Sequence, residues 1–199
     1  MGRTYEEIDG RLKHFLESQP VFFVATAPLA DAGHINCSPK GTDGSFAVID
    51  GHRVAYLDLT GSGVETVAHL QENGRIVLMF CAFSGPPRVI RLHGTGSVFK
   101  MGDPGFDDAV TRFAPNPGAR AAIVIDVERI SDSCGYSVPL FDFRAHRDKL
   151  DKWVVSRGGA EGLLVYRAEK NSQSIDGLAG LKGPITGLER PSADTTHPR

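Results

Sequence analysis

Cysteine is scarce in this chain. Cys37, Cys81 and Cys134 are odd in number and far apart, which argues against a disulfide framework and against a zinc-ligand spacing. They predict reduced, buried thiols in a cytoplasmic protein. A charge excess is missing too: 22 basic and 24 acidic residues leave a net charge of −2, with a sequence pI near 6.4. That balance speaks against a general nucleic-acid binder and against a polybasic membrane-surface protein. There is no long apolar run. The longest, Val21 to Ala30, is interrupted by Thr26 and Pro28 and falls far short of the roughly 20 residues a membrane span requires. The first ten residues carry acid and no apolar block, which predicts no secretory leader. What remains is an ordinary composition, 41% apolar and 23% charged over 199 residues. It is that of one globular domain, long enough to bury roughly 70% of its unfolded surface.

Thr4 followed by Glu7 has the form of a capping box, and Tyr5, Ile8, Leu12, Phe15 and Leu16 recur at helical spacing. Together they predict an amphipathic helix over residues 4–17. Val21 to Ala27 reads as a buried strand. Further strand-like runs follow at 34–38, 45–49, 53–59, 75–83 and 88–99, with a last one at 121–130. Asp43-Gly44, Asp50-Gly51 and Asn73-Gly74 mark turns between them. Such short links favour antiparallel neighbours. A helix is expected at about 63–73, a short helix with Phe106, Val110 and Phe113 inside the proline-rich stretch 100–120, and two helices at 144–156 and 158–171. The fold class is therefore mainly β with flanking helices, a mostly antiparallel sheet curled into a barrel. Residues 1–143 form the barrel, 144–182 a helical extension, and 183–199 a disordered tail or an arm on a partner.

Three stretches carry chemistry. Tyr56 to Thr66 reads strand, glycine turn, helix, and contains Asp58, Thr60, Gly61, Ser62, Gly63 and Thr66. Ser62 and Glu65 have the spacing of a second capping box. Free helix-terminal amides with three hydroxyls make a phosphate cradle, although the same pattern serves an ordinary capped helix, and the Glu65 carboxylate would repel an anion. No Gly-Lys-Ser/Thr ends the turn, and the third glycine of a dinucleotide fingerprint is missing. The second stretch, Ser38 to Asp43, sets Lys40 after a strand and before a tight turn. In the third, Arg88 and Arg91 interrupt an apolar strand and point to opposite faces.

In this order the three stretches resemble the pyridoxamine 5'-phosphate oxidase-like family of flavin-binding split β-barrels. Lys40-Gly41-Thr42-Asp43 looks like the family's Leu-Lys-Gly-x-Asp turn, and Tyr56 to Leu70 is similar to its phosphate-gripping strand and helix. Arg88 to Gly94 resembles its Arg-x-Val-Arg-Val-x-Gly strand. Gly135 to Pro139, with Asp142 and Phe143, looks like a compressed form of its Gly-Tyr-x-Val-x-Pro and Glu-Phe-Trp segment. The resemblance implies a flavin-reductase/oxidase-like split barrel and a cytoplasmic homodimer with FMN in the clefts between subunits. The cofactor would be held by Ser38, Lys40, Asp58, Thr60, Ser62, Thr66 and Arg88. A segment such as Ala145 to Asn171 would cover the partner's cleft, with Tyr136, Trp153 and Arg167 as candidate contacts.

The implied activity is an FMN-dependent oxidoreductase on a small-molecule substrate. The alternatives are a non-enzymatic binder of flavin, deazaflavin or haem, with His34, His69 and His93 as possible haem ligands, and a cofactor-free dimeric scaffold. This chain departs from the oxidase itself. Glu65 and Thr66 stand where the oxidase has an Arg-Lys pair, Val89 replaces a flavin-contacting glutamine, and Arg144 replaces a tryptophan. Loss of the two cations weakens phosphate binding unless Lys40 or Arg88 compensates. These departures argue against oxidation of a vitamin phosphate.

Overall fold

The computed structural model describes residues 2–181. The tail expected from residue 183 lies outside the described residues. The elements are β1 (Thr4–Tyr5), α1 (Gly10–Glu17), β2 (Phe22–Thr26), β3 (Asn36–Lys40), β4 (Phe46–Asp50), β5 (Arg53–Leu59), α2 (Glu65–Asn73), β6 (Arg75–Cys81), β7 (Val89–Lys100), α3 (Phe106–Val110), β8 (Ala119–Ser133), α4 (Lys149–Ser156) and α5 (Gly159–Lys170). The strands form one sheet in the order β3-β2-β6-β7-β8-β5-β4, with β1 added to β8. Every pairing is antiparallel. The sheet curls without closing, so β3, which contains Pro39, and β4 are its two free ends. This is a split β-barrel.

Period-two alternation builds the interior. Phe22, Val24 and Thr26 of β2 point inward. Phe22 stacks on Phe80 at 5.2 Å and meets the edge of Tyr56 at 5.6 Å. Leu12 and Leu16 of α1 pack into the same core. β5 is buried on both faces, because Ala55 and Leu57 face a second cluster with Phe113 and Ala119. β7 and β8 run 12 and 15 residues and span the sheet. Their register shifts between His93 and Gly94. A Cβ at Gly94 would lie 2.1 Å from the Asp126 carbonyl oxygen, so the close approach at this bulge requires glycine.

Several local expectations shift. The first helix starts at Gly10, not at Thr4: Asp9 is the N-cap and accepts from Leu12 N at 2.8 Å. Thr4 and Tyr5 pair instead with Ser131 and Ile130 of β8. β3 begins two residues later than expected, which makes Lys40 its last residue. The Ser62–Glu65 capping box does not form. Val64 is the N-cap of α2 without a side-chain bond, and a carboxylate oxygen of Glu65 accepts from Ile175 N. Residues 144–148 are coil, and α4 begins only at Lys149. Of the thiols, Cys81 is buried but Cys37 and Cys134 are exposed, since both lie at sheet margins. Among the described residues, no helix is long and apolar enough to cross a membrane.

The cap assignment is testable by urea denaturation. Asp9→Ala lowers stability by about 1 kcal/mol, and Thr4→Ala changes it by less than about 0.5 kcal/mol. Equal losses would restore the earlier helix start.

Candidate functional site

β5 ends in the turn Thr60–Val64, which leads into α2. Two elements later in the chain fix its shape. Thr60 donates through both N–H and Oγ1 to the Gly118 carbonyl at 2.8 Å and accepts from Arg167 Nε of α5 at 2.9 Å. Arg120 of β8 donates to Gly63 O at 2.8 Å and to Gly61 O at 3.4 Å. Asn171, the C-cap of α5, donates to Gly61 O at 2.9 Å and to Ser62 O at 3.4 Å. The carbonyls of Gly61, Ser62 and Gly63 are thus all drawn inward. In a planar trans peptide the following N–H points the opposite way, so the N–H groups of the exposed Ser62 and Gly63 face outward. Ser62 is exposed, and a Cβ at Gly61 would meet open space. A row of outward amides on an open turn has the form of an anion nest. Asn171 is fully buried, and its Oδ1 has no partner among the described residues.

Charge gathers beneath the turn. Asp58 is fully buried and accepts from Lys40 Nζ at 2.7 Å and from Arg120 Nε at 2.7 Å. Burial pushes its carboxyl up, but Lys40 and Arg120 together outweigh that and hold it below the usual aspartate range. Arg167 is buried as well. Its donors go to Thr60 Oγ1 and to the carbonyls of Gly118 and Ala119, and among the described residues no carboxylate pairs with it. Burial and then the neighbouring Arg120 lower its pKa. Two cations therefore share one carboxylate, and a third lies buried close by. Tyr56 lies beside this group, with Lys40 Nζ 6.0 Å from its ring centroid. Its Oη is buried without a partner among the described residues, and burial raises its pKa well above the usual value.

A second polar chain runs along β3. Ser38 Oγ donates to Asn36 Oδ1 at 3.1 Å, and Asn36 Nδ2 donates to Thr26 Oγ1 at 3.2 Å and to Thr66 Oγ1 at 3.0 Å. Thr26 Oγ1 lies 2.9 Å from His69 Nδ1. His69 is buried, its Nε2 has no partner among the described residues, and burial lowers its pKa.

The structure thus brings Lys40, Asp58 and Thr60 into one cluster with the open Ser62 turn. Ser38 and Thr66 join the chain along β3, where Thr66 is buried. Arg88 belongs to neither group: it donates to Tyr5 Oη at 2.8 Å and stacks over the rings of Tyr5 and Phe15. His34 pairs with Asp176, and His93 is exposed on β7. His34, His69 and His93 are not gathered, and no group of three metal-holding side chains forms among the described residues. Sequence reasoning missed Arg120 and Asn171. A lone arginine opening the apolar strand from Ala121 was the available signal for the first. Arg167, expected at a partner's cleft, is buried in its own subunit. Trp153 packs on Tyr166, and Tyr136 is exposed. A separate cavity of about 1230 Å³ opens between the end of α1, the Gly41–Ser45 turn and residues 141–146. None of the seven assigned cofactor residues lines it.

These features define a split β-barrel whose glycine turn rests on buried arginines. A family profile described as pyridoxamine 5'-phosphate oxidase matches residues 8–134. The pyridoxamine 5'-phosphate oxidase family protein ustO of Aspergillus flavus is 42% identical over 195 residues, covering 89% of this chain and 77% of that protein. The chain belongs to the pyridoxamine 5'-phosphate oxidase family. Among solved structures, HupZ of Group A Streptococcus is 25% identical with a TM-score of 0.47, covering 62% of this chain and 91% of that one. A protein of Clostridium acetobutylicum related to general stress protein 26 is 15% identical with a TM-score of 0.46, covering 69% and 92%.

Asp58→Asn leaves Lys40 and Arg120 without a counter-charge and lowers stability by about 3–5 kcal/mol. The pH dependence gives a second readout. A carboxyl depressed in the fold stabilises above its unfolded value, near 3.8, and that stability is lost as pH falls below it. Stability between about pH 5 and pH 2 should therefore fall more steeply in the wild type than in Asp58→Asn. Parallel curves would show that Asp58 is not the depressed carboxyl.

Proposed function

We propose that the protein is an FMN-dependent oxidoreductase that works as a homodimer on a small organic substrate. The observation that carries this reading is the charge beneath the glycine turn, where Asp58 pairs with Lys40 and Arg120 while the buried Arg167 donates only to neutral groups among the described residues. Buried charge without its counter-ion is unfavourable, and a phosphate on the outer side of the turn supplies the missing anion. The residues fit such a group. The amides of Ser62 and Gly63 and the exposed Ser62 hydroxyl face the open side, and no side chain occupies the space beyond Gly61. When bound, FMN supplies the hydride chemistry between a nicotinamide or other small organic donor and an acceptor.

The chain's own residues bind and orient. Ser62 and the turn amides receive the phosphate. Thr60 fixes the turn to Gly118, and the Lys40–Asp58–Arg120 group ties the β3 edge to β5 and keeps net positive charge beneath the anion. Thr66 serves through Asn36, as part of the scaffold. The exposed Ile35, Tyr136, Leu140, Phe141 and Phe143 offer the apolar area a second subunit would cover.

Glu65 opposes the anion. Its Oε2 is 2.4 Å from where a Cβ on Gly63 would stand, so the carboxylate overhangs the turn. Glu65→Gln therefore tightens FMN binding about three- to tenfold, a change of roughly 1 kcal/mol, in a fluorescence titration. Purified protein should show flavin absorption bands, with FMN identified by mass spectrometry after release, or should take up added FMN. Protein that does neither overturns the reading.

A further inference from the structure

α2 brings an acid and no base to the turn it follows, with Glu65 in its first helical turn. The positive charge comes instead from β8 and α5. Arg167 is the unusual member of the group, a buried guanidinium with only neutral partners among the described residues and a second guanidinium nearby. Asn171, one helical turn further on, draws the turn's carbonyls inward. Beyond it the chain stays on the same surface. Ile175 N donates to Glu65, Gln71 Nε2 donates to the carbonyls of Ala179 and Gly180, and the Asp176 carboxylate holds both N and Nδ1 of His34. A Cβ on Gly180 would come within 2.3 Å of the Asn171 carbonyl oxygen and 2.8 Å of Val64, so the segment fits here only with glycine at that position. Residues 167–180 are therefore built onto the glycine turn of their own subunit.

We infer that Arg167 and Asn171 are positioning residues of a phosphate subsite on the Thr60–Gly63 turn, and that the C-terminal segment of the same subunit completes it. Arg167 supplies charge from behind the turn, and Asn171 with Arg120 aims the amides outward. The ligand class is a phosphate monoester dianion. The inference rests on the reading of the turn as the FMN phosphate site and adds that its affinity is carried from α5 and β8.

The test compares FMN with riboflavin, which differs only in lacking the phosphate, in fluorescence titrations of the full-length protein. Arg167→Met should weaken FMN at least tenfold and riboflavin less than twofold, and Arg167→Lys, which keeps the charge, should recover most of the loss. Equal losses for both ligands, or no loss for FMN, would overturn the inference. If Arg167→Met does not fold, Asn171→Ala serves in its place and should show the same split. If the wild type binds neither flavin, the FMN reading falls and inorganic phosphate decides the inference separately. A phosphate-dependent rise in Tm that is absent from Asn171→Ala upholds the subsite. No rise, or an equal rise in the variant, removes it.

Discussion

A single buried carboxylate holds the split barrel in its shape. Asp58 sits on β5 near one end of an open sheet, and Lys40 reaches it from β3 at the other. A flat antiparallel sheet would leave these ends apart. The ion pair spans the gap through the barrel interior, and Arg120 from β8 completes the carboxylate's second oxygen. An isolated buried charge would be expelled or neutralised, so each of the three groups is stable here only because the others are present. The same contact fixes where Thr60 and its glycines emerge, two residues further along β5.

The site is consequently assembled from distant parts of the chain. β3, β5, β8 and α5 each contribute a charged or hydroxyl side chain, and α5 arrives more than 100 residues after the turn it supports. The barrel holds the turn through Arg120 of β8 and the Thr60 bond to Gly118, and Arg167 and Asn171 add a second hold from α5. Geometry and charge at the turn thus share one cause, the packing of the C-terminal helix on β8 and β5.

Much of this fold was legible in the residues. Alternation and turn signals located the strands of the sheet, because a strand with one buried face must alternate. Gly74 stopped α2 as expected, with φ of 73° and its N–H on Leu70 O. The start of α1 was not legible, because Thr4-x-x-Glu7 and Asp9 both satisfy capping rules and the choice was made by β1 pairing with β8. The clustering of Lys40, Asp58 and Thr60 beneath the Ser62 turn follows from one local motif and one short turn. Arg88 lies apart from that cluster, because alternation gives the face of a residue but not the partner across it, which is Tyr5. Asn171 carried no local signature, and Arg120 only that of a lone charge opening an apolar strand. Their roles depend on contacts about 60 and 110 residues away along the chain, and nothing in a window of ten or twenty residues encodes that.

The edge strand β3 also bears on how this molecule meets others. Pro39 stands inside it and presents no N–H, and among the described residues β3 pairs on its β2 side alone. An incoming strand from another chain would find its ladder broken at that position. Strand addition is therefore disfavoured at this end of the sheet, which leaves β4 as the edge where a borrowed strand would meet an unbroken backbone.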